Sequence, residues 1–161
     1  MTYARKTMPS PVGTLTLVAS EKGLVAILWH DDDPDRVRLG AVSDDDDHPV
    51  LLETERQLNA YFAGDLRNFT VALDFRGTDF QKLVWSALLT IPFGQTRSYG
   101  EIARQIGKPS ASRAVGAANG KNPISIIAPC HRVIGSTGRL TGFAGGLVAK
   151  QTLLDIEARP L

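Results

Sequence analysis

The pattern of apolar residues changes near residue 78, and this change divides the 161-residue chain into two halves of different secondary structure. In the first half, two β-rich apolar runs at residues 14–19 and 24–29 are joined by a short turn that contains glycine, which predicts a β-hairpin. In the second half, apolar residues recur every three or four positions, which indicates amphipathic helices. We therefore predict a mixed α/β (α+β) fold, with an N-terminal sheet-and-helix domain of residues 1–77 and a mainly helical C-terminal domain of residues 78–161.

The remainder of the first half predicts one helix and one further strand. Helical spacing of apolar residues predicts a helix over residues 51–62 that ends at Gly64, and residues 69–73 have the composition of a strand. An Asp-rich segment, residues 31–47, precedes this helix. Calcium-binding loops space their ligands and place a glycine for the turn. We therefore interpret the acidic segment as a solvated loop rather than a cation site, and Trp29 before it as a core residue.

Two capping boxes mark helix starts in the second half. Thr78 and Gln81 form the first, which predicts a helix that ends at Pro92. Ser98 and Glu101 form the second. Each box satisfies backbone N–H groups that a helix start leaves without partners, so both starts are strongly specified.

A third helix is predicted after Ser110, which we expect to cap it. With the helix before it, this segment resembles a helix-turn-helix, and we predict a winged helix-turn-helix-like DNA-binding element. A recognition helix that reads the major groove displays several long polar side chains, whereas this one displays Ala, Ser and Gly around Arg113. Such a surface could approach a DNA backbone closely, with Arg113 entering where a base has been displaced. It could equally pack against the protein itself.

Charge is unevenly shared along the chain. Residues 1–78 carry 8 Lys/Arg and 13 Asp/Glu, whereas residues 79–161 carry 10 Lys/Arg and 4 Asp/Glu. A basic half suits a polyanionic partner, although chance segregation would give the same count. No apolar run approaches the roughly 20 residues of a membrane span, and the first residues lack the apolar core of a signal peptide. We expect a cytoplasmic protein without a membrane partner.

The one cysteine of the chain, Cys130, follows Pro129 and directly precedes His131 and Arg132. A thiol becomes a good nucleophile when it ionises, and neighbouring basic groups lower its pKa. Pro129 restricts the backbone, so the thiol is expected on a stiff turn. A buried cysteine that packs as a small apolar group is the alternative. One cysteine excludes an internal disulfide and a cysteine-rich zinc site, so no metal is expected.

Five segments of the second half together resemble the O6-alkylguanine-DNA alkyltransferase family. They are Tyr-Gly at 99–100, Ser-Arg-Ala-Val-Gly at 112–116, Gly-Lys-Asn-Pro at 120–123, Pro-Cys-His-Arg-Val at 129–133 and Gly-Phe-Ala-Gly-Gly at 142–146. The resemblance runs from about residue 78 to residue 157, and the first half is similar to the family's more variable N-terminal domain. It implies that Cys130 takes an alkyl group from O6 of guanine, and from O4 of thymine, in DNA and keeps it. Each molecule would act once, without a cofactor.

The resemblance also implies the chemical roles of five residues. His131 would draw the proton of Cys130 through a water, and Glu157 would orient the imidazole. Tyr99 would donate a hydrogen bond to N3 of the departing guanine. From the residues alone, we would interpret Tyr99 as an interfacial aromatic side chain at a helix start. Asn122 would brace the turn between the DNA-binding helix and the cysteine.

Seven further residues are implied in binding. Those of the DNA-binding helix are Ser112, Arg113 and Ala114, and those of the base pocket are Val133, Phe143, Ala144 and Lys150. Arg113 would fill the gap left by a flipped nucleotide. The carbonyls of Cys130 and Val133 would accept from the guanine amino group, and the amide of Ala144 would donate to O6. Phe143 stands where the family often has Tyr, and Ala144 where Ser is common. The ligands of zinc-bearing members are missing from this sequence.

The implied partner is alkylated double-stranded DNA, contacted in its minor groove by a protein that is a monomer in solution and could bind DNA cooperatively. Three other classes of function stay open. A recognition module without transfer would not need the thiol, a cysteine hydrolase usually has its base far from the cysteine in sequence, and a transcription regulator needs a helix richer in base-reading side chains.

Overall fold

The computed structural model describes residues 2–159, in which a four-stranded sheet precedes a group of helices. In chain order the elements are β1 (Tyr3–Met8), β2 (Leu15–Ala19), β3 (Leu24–Leu28), β4 (Val42–Asp44), α1 (Pro49–Phe62), α2 (Asp79–Leu88), β5 (Arg97–Ser98), α3 (Tyr99–Gln105), α4 (Ser112–Gly120), a one-turn 3-10 helix (Cys130–Arg132), β6 (Val133–Ile134) and α5 (Leu147–Glu157). This order confirms the predicted fold class. Within residues 2–159, no helix has both the length and the apolar character that a membrane crossing requires.

The sheet has the order β3-β2-β1-β4. The predicted β2–β3 hairpin is confirmed, with Leu17 opposite Ile27. The sequence did not predict β1 or β4, because β1 lacks an apolar run and β4 has three residues within the acidic segment. The strand predicted at residues 69–73 is wrong: the segment forms an isolated bridge between Leu73 and Leu24.

The predicted helix α1 is confirmed and begins two residues earlier than expected, at Pro49. Both capping boxes are confirmed, with reciprocal side-chain-to-backbone hydrogen bonds at the start of α2 and of α3. The predicted Ser110 cap is wrong. The amide of Ala111 donates to the carbonyl of Lys108 at 2.9 Å, so Ser110 lies inside a turn. Helix α4 starts later, at Ser112, and among the residues described here no side chain caps it.

Two hydrophobic cores form, and the first draws residues from both halves of the chain. It joins the sheet and α1 to α5 and to a turn that includes Ile124 and Ile126. The second core joins α2, α3 and α4, and it includes Cys130 and Val133. Strand β3 contacts the turn directly, since the amide of Ile27 donates to the carbonyl of Pro123 at 2.8 Å. The cysteine segment therefore lies between the two cores. The domain boundary after residue 77 stays a prediction.

Candidate active site

Cys130 is buried at the start of the 3-10 helix, with 4% of its surface exposed. The turn before it contains Ile126 at φ +76°, a strained conformation for a β-branched residue. Asn122 holds this turn: its amide group donates to the carbonyl of Ala128 at 2.8 Å and accepts from the amide of Ile124 at 3.1 Å. The thiol is therefore fixed in place by a braced turn.

Burial raises the pKa of the Cys130 thiol above its ordinary value. Hydrogen bonds from the Asn122 and Ser125 side chains and the positive charges of Arg36 and Lys150 oppose this effect without overcoming it. The sequence favoured a lowered pKa caused by His131 and Arg132 beside the cysteine. That expectation is wrong for the resting site, because burial dominates. The resting thiol is protonated at neutral pH, so its ionisation requires a base.

Glu157, at the end of α5, is the centre of a buried polar cluster. Its Oε2 accepts from His131 Nε2 at 2.6 Å and from the Tyr61 hydroxyl at 2.6 Å. Arg132 donates from Nε to Oε1 at 2.6 Å and from Nη2 to Oε2 at 3.0 Å. Burial would raise the pKa of Glu157, but the hydrogen bonds from His131 and Arg132 lower it to about 2. Glu157 is therefore ionised at neutral pH.

The ionised Glu157 fixes the tautomer of His131. A carboxylate accepts hydrogen bonds, so the ring proton of neutral His131 lies on Nε2 and leaves Nδ1 as an acceptor. Burial lowers the pKa of His131, although the hydrogen bond and charge of Glu157 oppose this shift. The ring is therefore neutral at neutral pH. His131 Nδ1 is buried and has no hydrogen-bond partner within residues 2–159. Neutral His131 therefore keeps an unpaired accepting nitrogen within the described residues, as a general base requires.

A small pocket lined by Cys130 is built from three parts of the chain. Its lining comprises Arg36, Asn119, Gly120, Asn122, Ser125, Cys130, Gly142, Phe143 and Ala144. Lys150 supports the neighbouring segment: it is buried, and its ammonium group donates to the carbonyl of Val133 at 2.7 Å and lies 6.0 Å from the Phe143 ring centre. Burial lowers the pKa of Lys150.

Tyr99 connects this region to helix α4. Its hydroxyl is hydrogen-bonded to the Thr141 hydroxyl, and its ring lies 3.8 Å from the position of a Cβ added to Gly116. Tyr99 therefore lies between the helix and the segment that leads to Phe143.

Helix α4 presents the predicted DNA-binding residues on its outer side. Arg113 and Ala114 are exposed and Ser112 is partly exposed, whereas the opposite side packs into the second core. The indole N–H of Trp85 donates to the carbonyl of Ala118 at 2.8 Å and ties α4 to α2. The structure thus gathers the predicted chemical and pocket residues around Cys130 and places the three residues of α4 on an adjacent surface.

Three residues of the first half that the sequence analysis did not assign to the site take part in it: Tyr61, Arg36 and Trp29. Arg36 is buried and pairs with Asp32 at 2.6 Å. It also donates to the backbone carbonyls of Asn122 and, at 3.2 Å, of Ile27. The prediction of a solvated loop at residues 31–47 is therefore wrong at this ion pair, although most of the other aspartates are exposed.

Arg36 and Asp32 stand four positions apart in the acidic segment. This spacing is the one local signal for the pair, and nothing in it indicates burial. Residues 2–159 contain no group of three or more His, Cys, Asp or Glu side chains arranged to hold a metal ion.

Comparison with known proteins identifies the family. Residues 79–159 match the model of the 6-O-methylguanine DNA methyltransferase DNA binding domain, and residues 3–75 match the ribonuclease-like domain of the same proteins. A methylated-DNA–protein-cysteine methyltransferase of Mycolicibacterium paratuberculosis is 52% identical over 154 residues, which cover 96% of this chain and 92% of the relative. One of Methanosarcina acetivorans is 50% identical over 150 residues, covering 92% and 94%.

A solved structure agrees with these matches. The crystal structure of Mycobacterium tuberculosis OGT in complex with DNA superposes with a TM-score of 0.85 at 52% identity and covers 98% of this chain and 93% of that one. Both family models and relatives at half identity therefore span nearly the whole sequence. The chain belongs to the 6-O-methylguanine DNA methyltransferase family.

Proposed function

We propose that Cys130 repairs DNA by taking the alkyl group from O6 of guanine in a single, irreversible transfer. The thiolate attacks the alkyl carbon from the side opposite O6. The S–C bond forms as the C–O bond breaks, and the electron pair of that bond stays with the guanine. The observation that carries this proposal is the buried Cys130, directly followed in the chain by a buried imidazole whose Nδ1 has no hydrogen-bond partner within residues 2–159 and can accept a proton. O4 of thymine presents the same alkyl–oxygen bond, and we extend the proposal to it.

The proton of the thiol passes to His131 Nδ1, directly or through a water, and Glu157 stabilises the imidazolium that forms. Tyr99 donates toward N3 of the departing guanine, which neutralises the charge that develops on the base. The product is a thioether. Water does not displace a thiolate from an alkyl carbon under mild conditions, so the protein is consumed and each molecule acts once.

The damaged nucleotide reaches Cys130 by base flipping. Cys130 is 4% exposed and lines a small pocket, whereas O6 of a paired guanine lies inside the duplex stack. Helix α4 offers small side chains that suit close approach to the minor groove, and its exposed Arg113 is long enough to occupy the space the base leaves. Phe143 and Ala144 form a wall of the pocket that receives the base.

One copy of the chain contains every residue that the proposal uses, and we propose that the protein acts as a monomer. Oxidation of its single cysteine would inactivate it. A reducing compartment such as the cytoplasm suits such a protein, and we propose that location.

Mass spectrometry of the intact protein and of its peptides tests the proposal, after incubation with a duplex that contains O6-methylguanine. We expect one added methyl group per molecule, located on Cys130, with no further turnover when more duplex is added. An unmodified protein that still binds the lesion would contradict transfer and favour a recognition module instead.

A further inference from the structure

Trp29 comes from the first half of the chain but packs against the pocket of Cys130. It directly follows β3 and is buried, with 6% relative exposure. Its ring lies edge-on to Phe143, with ring centres 5.3 Å apart and planes at 70°. Such T-shaped pairs are favourable beyond the area that they bury. Phe143 lines the pocket, so Trp29 supports a pocket wall from behind.

The contact extends to Gly145, two positions beyond Phe143. A Cβ added to Gly145 would stand 2.7 Å from atoms of the Trp29 ring, which is closer than real side chains approach. Glycine at this position therefore lets the segment around Phe143 rest directly on the indole. The indole face fixes how far this segment can move away from the thiol.

Trp29 also contacts the opposite side of the pocket. Its indole N–H donates to the Ser125 hydroxyl at 3.1 Å. Ser125 in turn lines the same pocket as Cys130. One rigid side chain thus touches a residue beside the nucleophile and the segment that carries the facing wall.

The backbone around Trp29 is itself held in place. The amide of Trp29 donates to the Asp32 carboxylate at 3.1 Å, and the same carboxylate pairs with the buried Arg36. Arg36 is another lining residue of the pocket. The turn from residue 29 to residue 36 therefore supports the pocket through Trp29 at one end of the turn and through Arg36 at the other. The hydrogen bonds of this turn resist a shift of Trp29.

We propose that Trp29 is a specificity-determining residue that limits the size of the O6 adduct by fixing the distance between the Phe143 wall and the Cys130 thiol. This inference rests on the alkyl transfer proposed above. Trp29 acts through Phe143 and Gly145 and does not touch the substrate. A smaller side chain at position 29 leaves space behind Phe143, so that the wall can retreat and admit a bulkier alkyl group.

The test compares two substrates rather than one rate. Second-order transfer rates are measured for otherwise identical duplexes that carry O6-methylguanine or O6-benzylguanine, so that DNA affinity cancels in their ratio. For Trp29→Leu we expect the benzyl-to-methyl ratio to rise about ten-fold, the scale on which pockets discriminate by size. Trp29→Phe, which keeps an aromatic ring behind the wall, should give a smaller rise.

Trp85→Phe is the matched control. Trp85 is also a buried tryptophan whose indole N–H donates a hydrogen bond, but it lies in the second core against α4. Its substitution should change both transfer rates by the same factor and leave the ratio unchanged. A general loss of stability would lower the transfer rates for both substrates by the same factor in either variant. It would therefore not change the benzyl-to-methyl ratio of Trp29→Leu alone.

A second pair of variants keeps the inference testable if Trp29→Leu does not fold. Gly145→Ala should lower methyl transfer, because its Cβ collides with the indole, and Trp29→Phe in the same chain should restore part of the rate. This inference alone is overturned if the wild-type protein transfers both alkyl groups and no Trp29 variant changes the benzyl-to-methyl ratio. Wild-type protein that transfers neither would overturn the proposed function.

Discussion

Tyr61 donates its phenolic hydrogen to Glu157 Oε2 at 2.6 Å, the same oxygen that accepts from His131. The two residues are 96 positions apart. Tyr61 belongs to α1 in the first half and is fully buried, whereas Glu157 closes α5. Helix α1 of the first half therefore helps to hold the carboxylate that orients His131, the proposed proton acceptor in the second half.

Tyr61→Phe should alter the pH dependence of alkyl transfer. The Tyr61 hydroxyl shares the charge on Glu157 Oε2, and its removal strengthens the attraction of that oxygen for the His131 proton. The pKa of His131 should rise, and because His131 acts in its neutral form, the acid limb of the rate–pH profile should move to higher pH. Stability should fall by about 2 kcal/mol, the scale of a hydrogen bond to a charged group.

The control for this variant is Tyr3→Phe, which removes a phenol from β1 and should leave the rate–pH profile unchanged. Denaturant unfolding gives the stability, and single-turnover rates across pH give the profile. A Tyr61→Phe profile that keeps its position, with stability lowered, would show that Tyr61 serves packing alone.

Glu157 should make the fold sensitive to acid. Its pKa in the folded protein is about 2, against an ordinary value of 4.5. A lowered folded-state pKa stabilises the protein above the unfolded value, and this contribution is lost as pH falls from about 4.5 toward 2. At 1.36 kcal/mol per pKa unit the contribution is about 3 kcal/mol. Unfolding free energies of wild type and Glu157→Gln should therefore converge over this pH range.

Glu157→Gln should itself be less stable at neutral pH, by roughly 3–5 kcal/mol, because the guanidinium of Arg132 then stays buried without its counter-charge. Circular dichroism during urea titration at several pH values measures both effects. A difference between wild type and variant that does not narrow on acidification would contradict the linkage.

Cys130→Ala should abolish alkyl transfer and leave binding of alkylated duplex in place. The substitution removes the nucleophile, while the exposed face of α4 that we expect to contact DNA is unchanged. Transfer is followed by mass spectrometry and binding by fluorescence anisotropy at fixed salt. Removal of methyl groups from DNA by the alanine variant would refute the assignment of Cys130 as the acceptor.

Arg113→Ala should slow transfer from an alkylated duplex more than transfer from free O6-benzylguanine, because base extrusion is needed only in the duplex. Arg104→Ala is the matched control, since Arg104 is an exposed arginine in the last turn of α3 and its loss removes the same charge. Two results would count against the insertion of Arg113 into the duplex. One is an equal loss of transfer rate on both substrates for Arg113→Ala, and the other is the same pattern of loss in Arg113→Ala and Arg104→Ala.

The features that could be predicted from the sequence are those that neighbours along the chain decide. The hairpin depends on two adjacent apolar runs, and each capping box joins residues three positions apart, as the reciprocal bonds of Thr78 with Gln81 show. The motif around Cys130 is equally local, and so is each of the other four segments that carry the resemblance. Such signals persist in an unfolded chain, because the interacting groups are already close.

The tertiary structure alone decided which distant residues complete the site. These residues are Tyr61, Arg36 and Trp29, and they reach the site only because β3 and α1 pack against the turn and α5 in a shared core. No pattern within any of these segments indicates that contact. The same packing reverses the expected shift of the Cys130 pKa. Sequence neighbours supply charge, but burial is a property of the folded molecule, and the desolvation that it causes outweighs the charges nearby.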